Sequence, residues 1–236
     1  MRPLRRLLRG HRSANPLERY FRENTGRRIH KWMHYFDAYH RHFERFRGRE
    51  ITVVEFGVSQ GGSLQMWRSY FGRASQVIGV DIDPRCKEFE EPGIRVRIGD
   101  QEDRDFLRAL ASEVGPIDIV IDDGGHTMAQ QIATFEVLYP AMSPDGVFLV
   151  EDVHTSYWPH YAGGLQRDGT FIEYAKRLVD QLTAFHSREP EFVVDDFTRT
   201  TRSMHFYDSI VVFERRIVNP PRHKATGTRT FGGPSE

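Results

Sequence analysis

Two acidic motifs follow apolar runs of the chain, and their residue types and spacing could do chemistry. The segment 121–126 reads Ile-Asp-Asp-Gly-Gly-His, and Glu151 with Asp152 follows the apolar run 147–150. Parallel strands that end in carboxylates direct them into one crevice, because ligands of open α/β sheets bind beyond the carboxyl ends of the strands. Four acids and one histidine in one crevice predict a divalent metal ion with a base beside it.

Each of these residues also has a purely structural interpretation. Asp123 and His126 fit a turn and a helix cap, and Glu151 with Asp152 fits a solvated turn. Asp122 is expected to be structural or to face a cofactor, because adjacent residues at an extended tip point in different directions.

The elements that must position these motifs alternate between short apolar runs and helical periodicity. Strands are predicted at 51–56, 76–80, 94–98, 117–121 and 147–150. Helices are predicted at 63–71, 104–113, 128–139 and 170–185. This βαβαβ order predicts a parallel sheet with helices on both faces. Two final strands are expected at 191–194 and 206–214, the second as an antiparallel hairpin partner.

Residues 28–46 carry aromatic side chains at steps of three or four, which predicts an amphipathic helix with a buried aromatic stripe. The stripe consists of Trp32, Phe36, Tyr39, Phe43 and Phe46. The histidines of this segment lack carboxylate partners in the pattern, so a packing or dimer helix that borders the site is favoured over a metal site. Three regions are expected: a helical extension at 1–48, an α/β domain at 49–216 and a flexible tail at 217–236.

The composition favours a small ligand over a macromolecular partner. The 236 residues carry 33 Lys and Arg against 33 Asp and Glu, so the net charge does not favour nucleic acid or an anionic membrane. The one cysteine, Cys86, excludes an internal disulfide and a thiolate zinc site. The basic segment 1–12 lacks a signal peptide's apolar core, and no later run approaches the roughly 20 apolar residues of a membrane span. We expect a soluble, cytoplasmic protein whose basic start is a solvated helix or lies on a membrane or an acidic partner.

The loop after the first strand is rich in glycine, as a chain requires where it turns sharply into a helix close to a ligand. It could hold a cofactor or form a plain tight turn. Its candidate contacts are Glu55, Gly57, Ser59, Gly61 and Ser63. Asp81, at the tip of the second strand, is placed to accept both hydroxyls of a ribose. Asp100 and Gln101 end the third strand, where they could meet an adenine edge, although Asp100 fits a helix cap equally well.

The order Glu-x-Gly-x-x-x-Gly-Gly, Gly-x-Asp and Gly-Asp-Gln resembles the class I S-adenosylmethionine-dependent methyltransferases. The match covers residues 51–152, with Ser59 where many members have a central glycine. The resemblance implies a Rossmann-like α/β fold with a mostly parallel seven-stranded sheet, helices on both faces and an N-terminal helical extension. It also implies S-adenosyl-L-methionine as the cofactor.

The two acidic motifs narrow the resemblance to metal-dependent sugar O-methyltransferases. Glu151 to Trp158 reads Glu-Asp-Val-His-Thr-Ser-Tyr-Trp, and Lys-Trp-x-His-Tyr at 31–35 extends the similarity. By this resemblance Asp123, Glu151 and Asp152 would ligate Mg²⁺ or another divalent ion, and His126 would be the general base. A hard cation lowers the pKa of a sugar hydroxyl, and a histidine can then accept its proton.

The acceptor is expected to be a glycoside, and the protein a homodimer or a higher homo-oligomer. Tyr157 and Trp158 suit stacking on a sugar face or anchoring of a loop, and His154 could support the site or lie on the surface. Two alternatives remain open. One is a methyltransferase for a catechol-like or β-lactam acceptor, and the other is a non-catalytic protein that retains a cofactor pocket.

Overall fold

Seven strands form one sheet whose carboxyl edge carries both acidic motifs. A computed structural model describes residues 15–231, so the basic segment 1–12 lies outside the described residues. The strands are β1 (Thr52–Phe56), β2 (Gln76–Asp81), β3 (Ile94–Ile98), β4 (Ile117–Asp122), β5 (Met142–Val150), β6 (Thr201–Tyr207) and β7 (Ile210–Arg215). Their order is β3-β2-β1-β4-β5-β7-β6. The pairs among the first five strands are parallel, whereas β7 runs antiparallel to β5 and β6.

Seven α-helices are described between and around these strands. They are α1 (Pro16–Glu23), α2 (Tyr35–Phe43), α3 (Gly62–Phe71), α4 (Arg104–Val114), α5 (Met128–Leu138), α6 (Phe171–Leu182) and α7 (Asp196–Thr200). Within residues 15–231, no helix combines the length and the apolar character needed to cross a lipid bilayer. The predicted tail contains no helix or strand over its described part, 217–231.

The sheet changes direction of winding at β1, and this places a crevice at its centre. β1 pairs with β2 on one side and with β4 on the other, both in parallel. The chain therefore leaves β1 towards one edge and returns on the other side. Such a switch point opens a crevice beyond the carboxyl ends of the two central strands, where ligands of open α/β sheets bind.

Two aromatic-rich clusters cover the two faces of the sheet. On one face Tyr39 of α2 meets Trp67 of α3 edge-on, with ring centroids 5.2 Å apart. On the other face Phe135 of α5 packs on Phe213 of β7 at 4.4 Å. The first cluster contains side chains of α1 and α2 together with Val53 of β1, so the N-terminal helices share a core with the sheet. Burial of this apolar surface is the main favourable term in holding the layers together.

The predicted helix at 28–46 is wrong over its first seven residues. The α-helix begins only at Tyr35, and residues 28–32 instead run across the mouth of the crevice. Trp32 is consequently 52% exposed, whereas Phe36, Tyr39 and Phe43 are buried as predicted. The extended course lets the side chain of Lys31 reach the carboxyl edge of the sheet, where ion pairs hold it.

The two final strands also differ from the prediction. Residues 191–194 form no strand. The side chain of Val193 is 67% exposed and therefore does not pack into a core. The predicted single strand at 206–214 contains a turn at Asp208-Ser209 that separates β6 from β7. Ser209 adopts a φ of 65°, in the left-handed region that tight hairpin turns require. The hairpin completes the sheet with two antiparallel strands.

A buried histidine ties α2 to this hairpin. His42 Nδ1 lies 2.8 Å from Glu214 Oε1, and its Nε2 lies 2.8 Å from the hydroxyl of Tyr207. The expectation that the histidines of this segment lack carboxylate partners is therefore wrong for His42. The hydrogen bond from His42, helped by Arg45, lowers the pKa of Glu214 to about 2. Both ring nitrogens of His42 are engaged, so the contact is a structural link between helix and sheet.

Candidate active site

The crevice beyond the central strands is a cavity of about 600 Å³. Its walls bring together the glycine-rich loop, the tips of β2 to β5 and the segment that precedes α2. The main lining segments are 28–32, 56–60, 80–82, 99–101, 123–126 and 151–152. Residues as distant in sequence as Lys31 and Glu151, which are 120 positions apart, thus meet in one space, as the topology predicts.

Asp81 lines the cavity and also organises the glycine-rich loop. One of its oxygens accepts hydrogen bonds from the backbone N–H groups of Val58 and Ser59, at 2.9 and 3.1 Å. Its other oxygen accepts from the N–H of Asp83 at 2.9 Å. A carboxylate has about four lone-pair sites and three are occupied, so acceptor capacity remains for about one hydroxyl group in the cavity.

The loop itself requires glycine at position 57. Gly57 has a φ of 87°, and a β-carbon there would lie 1.9 Å from the carbonyl oxygen of Asp123. The ends of β1 and β4 therefore approach each other through bare backbone, which only glycine permits. Ser59, which also lines the cavity, adopts a φ of 49°.

Two of the predicted cofactor contacts in this loop lie behind the cavity wall. Glu55 is fully buried and accepts hydrogen bonds from Ser63 Oγ at 2.7 Å and Trp67 Nε1 at 2.8 Å, which fasten β1 to α3. Gly61 is not among the lining residues, and a β-carbon there would meet the ring of Phe89 at 2.6 Å. Ser63 does reach the cavity. Glu55 and Gly61 thus shape the loop from outside.

Gln101 lines the cavity, but its amide is already engaged by protein groups. Its Nε2 donates to Asp122 Oδ1 at 2.6 Å and to Thr134 Oγ1 at 3.0 Å, and its Oε1 accepts from the N–H of Gly125 at 3.2 Å. Gln101 therefore supports the Gly-Gly turn more directly than it could read an adenine edge. The exposed Asp100 borders the cavity and accepts from the N–H of Glu102.

Asp122 lies inside the fold and does not line the cavity. Burial raises the pKa of this carboxyl to about 7, although the hydrogen bond from Gln101 opposes the shift. Within residues 15–231 its Oδ2 has no hydrogen-bond partner. Of the two places expected for Asp122, the fold interior and the cofactor side, its carboxyl lies in the interior.

Three of the predicted chemical residues converge at the cavity floor. Ligand atoms of Asp123, His126 and Asp152 lie within 4.8 Å of one another. His126 Nε2 is 3.8 Å from Asp123 Oδ1 and 3.5 Å from Asp152 Oδ2. Carboxylate oxygens on an accessible floor fit a hard divalent ion, since Mg²⁺ prefers oxygen ligands and keeps several open positions.

Local structure holds this group in position. His126 and Asp152 adopt φ angles of 57° and 53°. Thr155 Oγ1 donates to the carbonyl of His126 at 2.9 Å, and the hydroxyl of Tyr35 donates to Asp152 Oδ1 at 2.6 Å. The following residue, Thr127, caps α5 in a capping box. These contacts aim both side chains into the cavity.

The environment of His126 favours the neutral form of its imidazole. Burial lowers its pKa from 6.5, and the charges of Asp123 and Asp152 offset only part of that shift. A neutral imidazole can accept a proton, as a general base must. Its Nδ1 is buried and has no hydrogen-bond partner within the described residues.

Lys31 is the residue of the site that sequence reasoning missed. Its Nζ lies 2.5 Å from Asp123 Oδ2 and 2.9 Å from Glu151 Oε1, and its side chain is 2% exposed. Burial alone would lower the pKa of Lys31, but the nearby carboxylates outweigh it and raise the pKa well above its usual value. The available signal is its place in the Lys-Trp-x-His-Tyr motif, within the segment whose aromatic spacing predicts a helix.

The three predicted substrate residues lie beside the cavity rather than in its wall. Tyr157 and Trp158 are 45% and 43% exposed, and Trp158 meets His154 at a centroid distance of 4.6 Å. Trp32 joins this group across the mouth, perpendicular to His154 at 6.3 Å, and it does line the cavity. An exposed aromatic patch therefore borders the opening above the acidic floor.

Comparisons with known proteins agree with this architecture. A family model described as a methyltransferase domain matches residues 54–153. The chain is 42% identical to the 8-demethyl-8-alpha-L-rhamnosyl tetracenomycin-C 2'-O-methyltransferase of Streptomyces olivaceus, across 77% of this chain and 50% of that protein. It is 35% identical to the mycinamicin VI 2''-O-methyltransferase of Micromonospora griseorubida, across 84% of this chain and 51% of that protein.

A solved structure extends the similarity to three dimensions. A methyltransferase from the mycinamycin biosynthetic pathway, in complex with Mg, SAH and mycinamycin VI, aligns with a TM-score of 0.75 at 32% identity. The alignment covers 86% of this chain and 53% of that chain. The chain spans about half the length of the curated relatives it matches. The resemblance and the fold class expected from the motifs are confirmed: residues 54–153 match the methyltransferase domain model, and the chain has the Rossmann-like class I methyltransferase fold.

Proposed function

We propose that this protein is a metal-dependent O-methyltransferase that moves a methyl group from S-adenosyl-L-methionine to a sugar hydroxyl of a glycoside. The observation that carries the proposal is the meeting of Asp123, His126 and Asp152 at the floor of the switch-point cavity. The glycine-rich loop and Asp81 lie in the same cavity. The named activities of the relatives, which are methyl transfers to sugar-bearing natural products, agree with this combination.

The cofactor would lie against the tips of β1 to β3. Gly57, Ser59, Asp81 and Asp100 line the cavity. Gly57 and Ser59 would offer backbone at close approach, Asp81 would offer a carboxylate oxygen to the ribose, and Asp100 would lie beside the adenine. Glu55, Gly61, Gln101 and Asp122 would act behind this surface by holding the loop and the Gly-Gly turn. With the cofactor bound, the cavity wall would orient the donor methyl towards the acidic floor, and positioning supplies much of the rate of such a transfer.

The acidic floor would hold a divalent ion and remove a proton. When bound, Mg²⁺ would lower the pKa of the acceptor hydroxyl. Asp123, Glu151 and Asp152 all line the cavity and would ligate the ion, and Asp123 and Glu151 also pair with Lys31. His126, neutral and held between the two aspartates, would accept the hydroxyl proton at Nε2.

The acceptor would enter through the aromatic mouth. Trp32, Trp158 and His154 present ring faces and edges beside the opening, and aromatic faces stack well on the apolar faces of sugars. Tyr157 is exposed next to them. We also propose that the enzyme works in the cytoplasm as a homo-oligomer; this rests on the sequence expectation alone.

Loss of the Asp81 carboxylate is expected to weaken S-adenosyl-L-methionine binding roughly 10- to 100-fold. Hydrogen bonds to a charged group are worth about 1.5–3 kcal/mol each, and Asp81→Ala also frees the N–H groups of Val58 and Ser59. Isothermal titration calorimetry of the cofactor measures the effect. Asp83→Ala is the matched control, because Asp83 is partly exposed and pairs with Arg85 outside the cavity. An Asp81→Ala affinity equal to that of the control would place the nucleotide elsewhere.

The proposed function is tested by methyl transfer to a panel of acceptors. Purified protein is incubated with methyl-labelled S-adenosyl-L-methionine and either rhamnosylated or other glycosylated polyketides, or a catechol, with and without Mg²⁺. We expect label only in the glycosides and only with the ion. Turnover of the catechol alone would favour the non-sugar methyltransferase. Tight cofactor binding without transfer to any acceptor would favour a non-catalytic protein.

A further inference from the structure

A second cluster of possible metal ligands lies where α2 packs on the final hairpin, and none of its residues lines the cavity. His42 comes from α2, His205 from β6 and Glu214 from β7. One ligand atom of each residue lies within 4.8 Å of the other two. The two imidazole rings are 4.6 Å apart between their centroids. Two imidazoles and one carboxylate form a donor set that suits Zn²⁺.

The spacing of His42 and Glu214 already fits two ligands of one ion. His42 Nδ1 lies 2.8 Å from Glu214 Oε1. Bonds of roughly 2.0–2.2 Å from Zn²⁺ to nitrogen and oxygen place neighbouring ligand atoms about 3–3.5 Å apart. A zinc ion can therefore take the place of the proton between these two atoms after only a small movement of the side chains.

Two hydroxyl groups hold the imidazoles at their other side. The hydroxyl of Tyr207 lies 2.8 Å from His42 Nε2, and Ser203 Oγ lies 3.0 Å from His205 Nε2. A histidine that ligates a metal ion usually hydrogen-bonds through its second ring nitrogen, which fixes the orientation of the ring. In His42 this arrangement leaves Nδ1, the nitrogen beside Glu214, for the ion. Burial and the neighbouring His42 lower the pKa of His205, which favours the neutral form that a metal ion binds.

We propose that His42, His205 and Glu214 form a Zn²⁺ site that fastens α2 to the hairpin of β6 and β7. The inference requires neither the acidic floor nor the proposed function. It revises the sequence interpretation, which favoured a packing or dimer helix over a metal site. The site also bears on the cavity, because His42 lies about two helical turns from Tyr35, whose hydroxyl donates to Asp152. An ion at one end of α2 would thus hold the other end in place.

Arg45 is the cation that competes for this site. Its Nη1 lies 3.2 Å from the same Oε1 of Glu214, and its Nη2 donates to the carbonyl of Asp145 at 3.1 Å. The side chain of Arg45 is 40% exposed, so its ion pair contributes little and can yield to a divalent ion. Arg45→Gln should tighten Zn²⁺ binding roughly two- to fivefold. Weaker binding in this variant would contradict Glu214 as a ligand.

Isothermal titration calorimetry with Zn²⁺ tests the site in the full chain. His205→Asn and Glu214→Gln should each weaken binding by about tenfold or more. His186→Asn is the matched control, because His186 is exposed and lies outside the cluster. Any binding of Zn²⁺ to the acidic floor is common to all of these proteins and cancels in the comparison. Affinities of His205→Asn and Glu214→Gln equal to that of His186→Asn would overturn the inference.

Two further measurements keep the test independent of how well each variant folds. Zn²⁺ should raise the melting temperature of wild type and of His186→Asn but not that of His205→Asn, because only an ion that binds the folded state stabilises it. In wild type labelled with ¹⁵N-histidine, the ring nitrogens of His42 and His205 should shift when Zn²⁺ is added. A spectrum in which neither residue responds to the ion would show that the proposal is wrong.

Discussion

Replacing His126 by asparagine is expected to slow methyl transfer roughly 10²–10⁴-fold, the usual contribution of a positioned general base. Asparagine tolerates the φ of 57° at this position but cannot accept a proton at neutral pH. Binding of Mg²⁺ and cofactor should change little, because Asp123 and Asp152 remain. Single-turnover rates at saturating metal and cofactor measure the effect.

The pH dependence of the methyl-transfer rate is a second test of His126 as the general base. Burial lowers the pKa of His126 below 6.5, so the basic form persists at neutral pH and is lost only as pH falls through that lowered value. The wild-type rate should therefore fall on the acidic side, below pH 6.5. The His126→Asn rate should instead keep rising with pH, because the hydroxyl must lose its proton unaided. His186→Asn is the control, since His186 is exposed and does not line the cavity. Equal rates for wild type and His126→Asn at neutral pH would move the base to another residue.

Exhaustive removal of divalent ions is expected to abolish methyl transfer, by roughly 10³-fold or more, while the cofactor stays bound. A metal ion contributes several kcal/mol by stabilising the developing alkoxide, and the residues proposed to bind the cofactor lie in a different part of the cavity. Asp152→Asn should reproduce most of this loss, because asparagine keeps the backbone geometry and removes the charge. The readouts are the rate with and without chelator and the cofactor affinity by calorimetry.

The matched control for Asp152→Asn is Asp208→Asn, which removes an acid from an exposed turn. Neither protein should unfold, since removing one of several close carboxylates relieves their repulsion when the ion is absent. Full activity that persists after chelation, without any added metal, would contradict the metal-dependent mechanism.

The sheet and the location of the site could be predicted from sequence because both depend on local pattern. Runs such as 117–121 consist mostly of apolar residues, and the polar residues of the strand tip follow directly after them. In parallel sheets those tips meet at one edge, so Asp81, Asp123 and Asp152 could be assigned to one crevice. Side-chain direction at a tip is not encoded in this pattern. Asp122 points into the fold, and its neighbour Asp123 reaches the cavity.

The segment before α2 could not be predicted because its conformation depends on distant residues. Lys31 pairs with Asp123 and Glu151, which follow it by 92 and 120 positions. The aromatic spacing of Trp32 with Phe36 fits a helix, and nothing local reveals that the ion pairs override it. Gln101 illustrates the same limit, since its amide is engaged by Asp122 and Gly125 rather than by the cavity.

The left-handed backbone at His126 and Asp152 lowers the stability of the fold, whereas the proposed activity requires the side chains of both residues. A residue with a β-carbon pays about 1–2 kcal/mol for this conformation, and glycine does not. Selection for thermal stability alone would therefore favour glycine at both positions and erase the base and a carboxylate together. A sequence designed on this backbone without regard to function should lose its chemistry first at the two residues that the fold tolerates least.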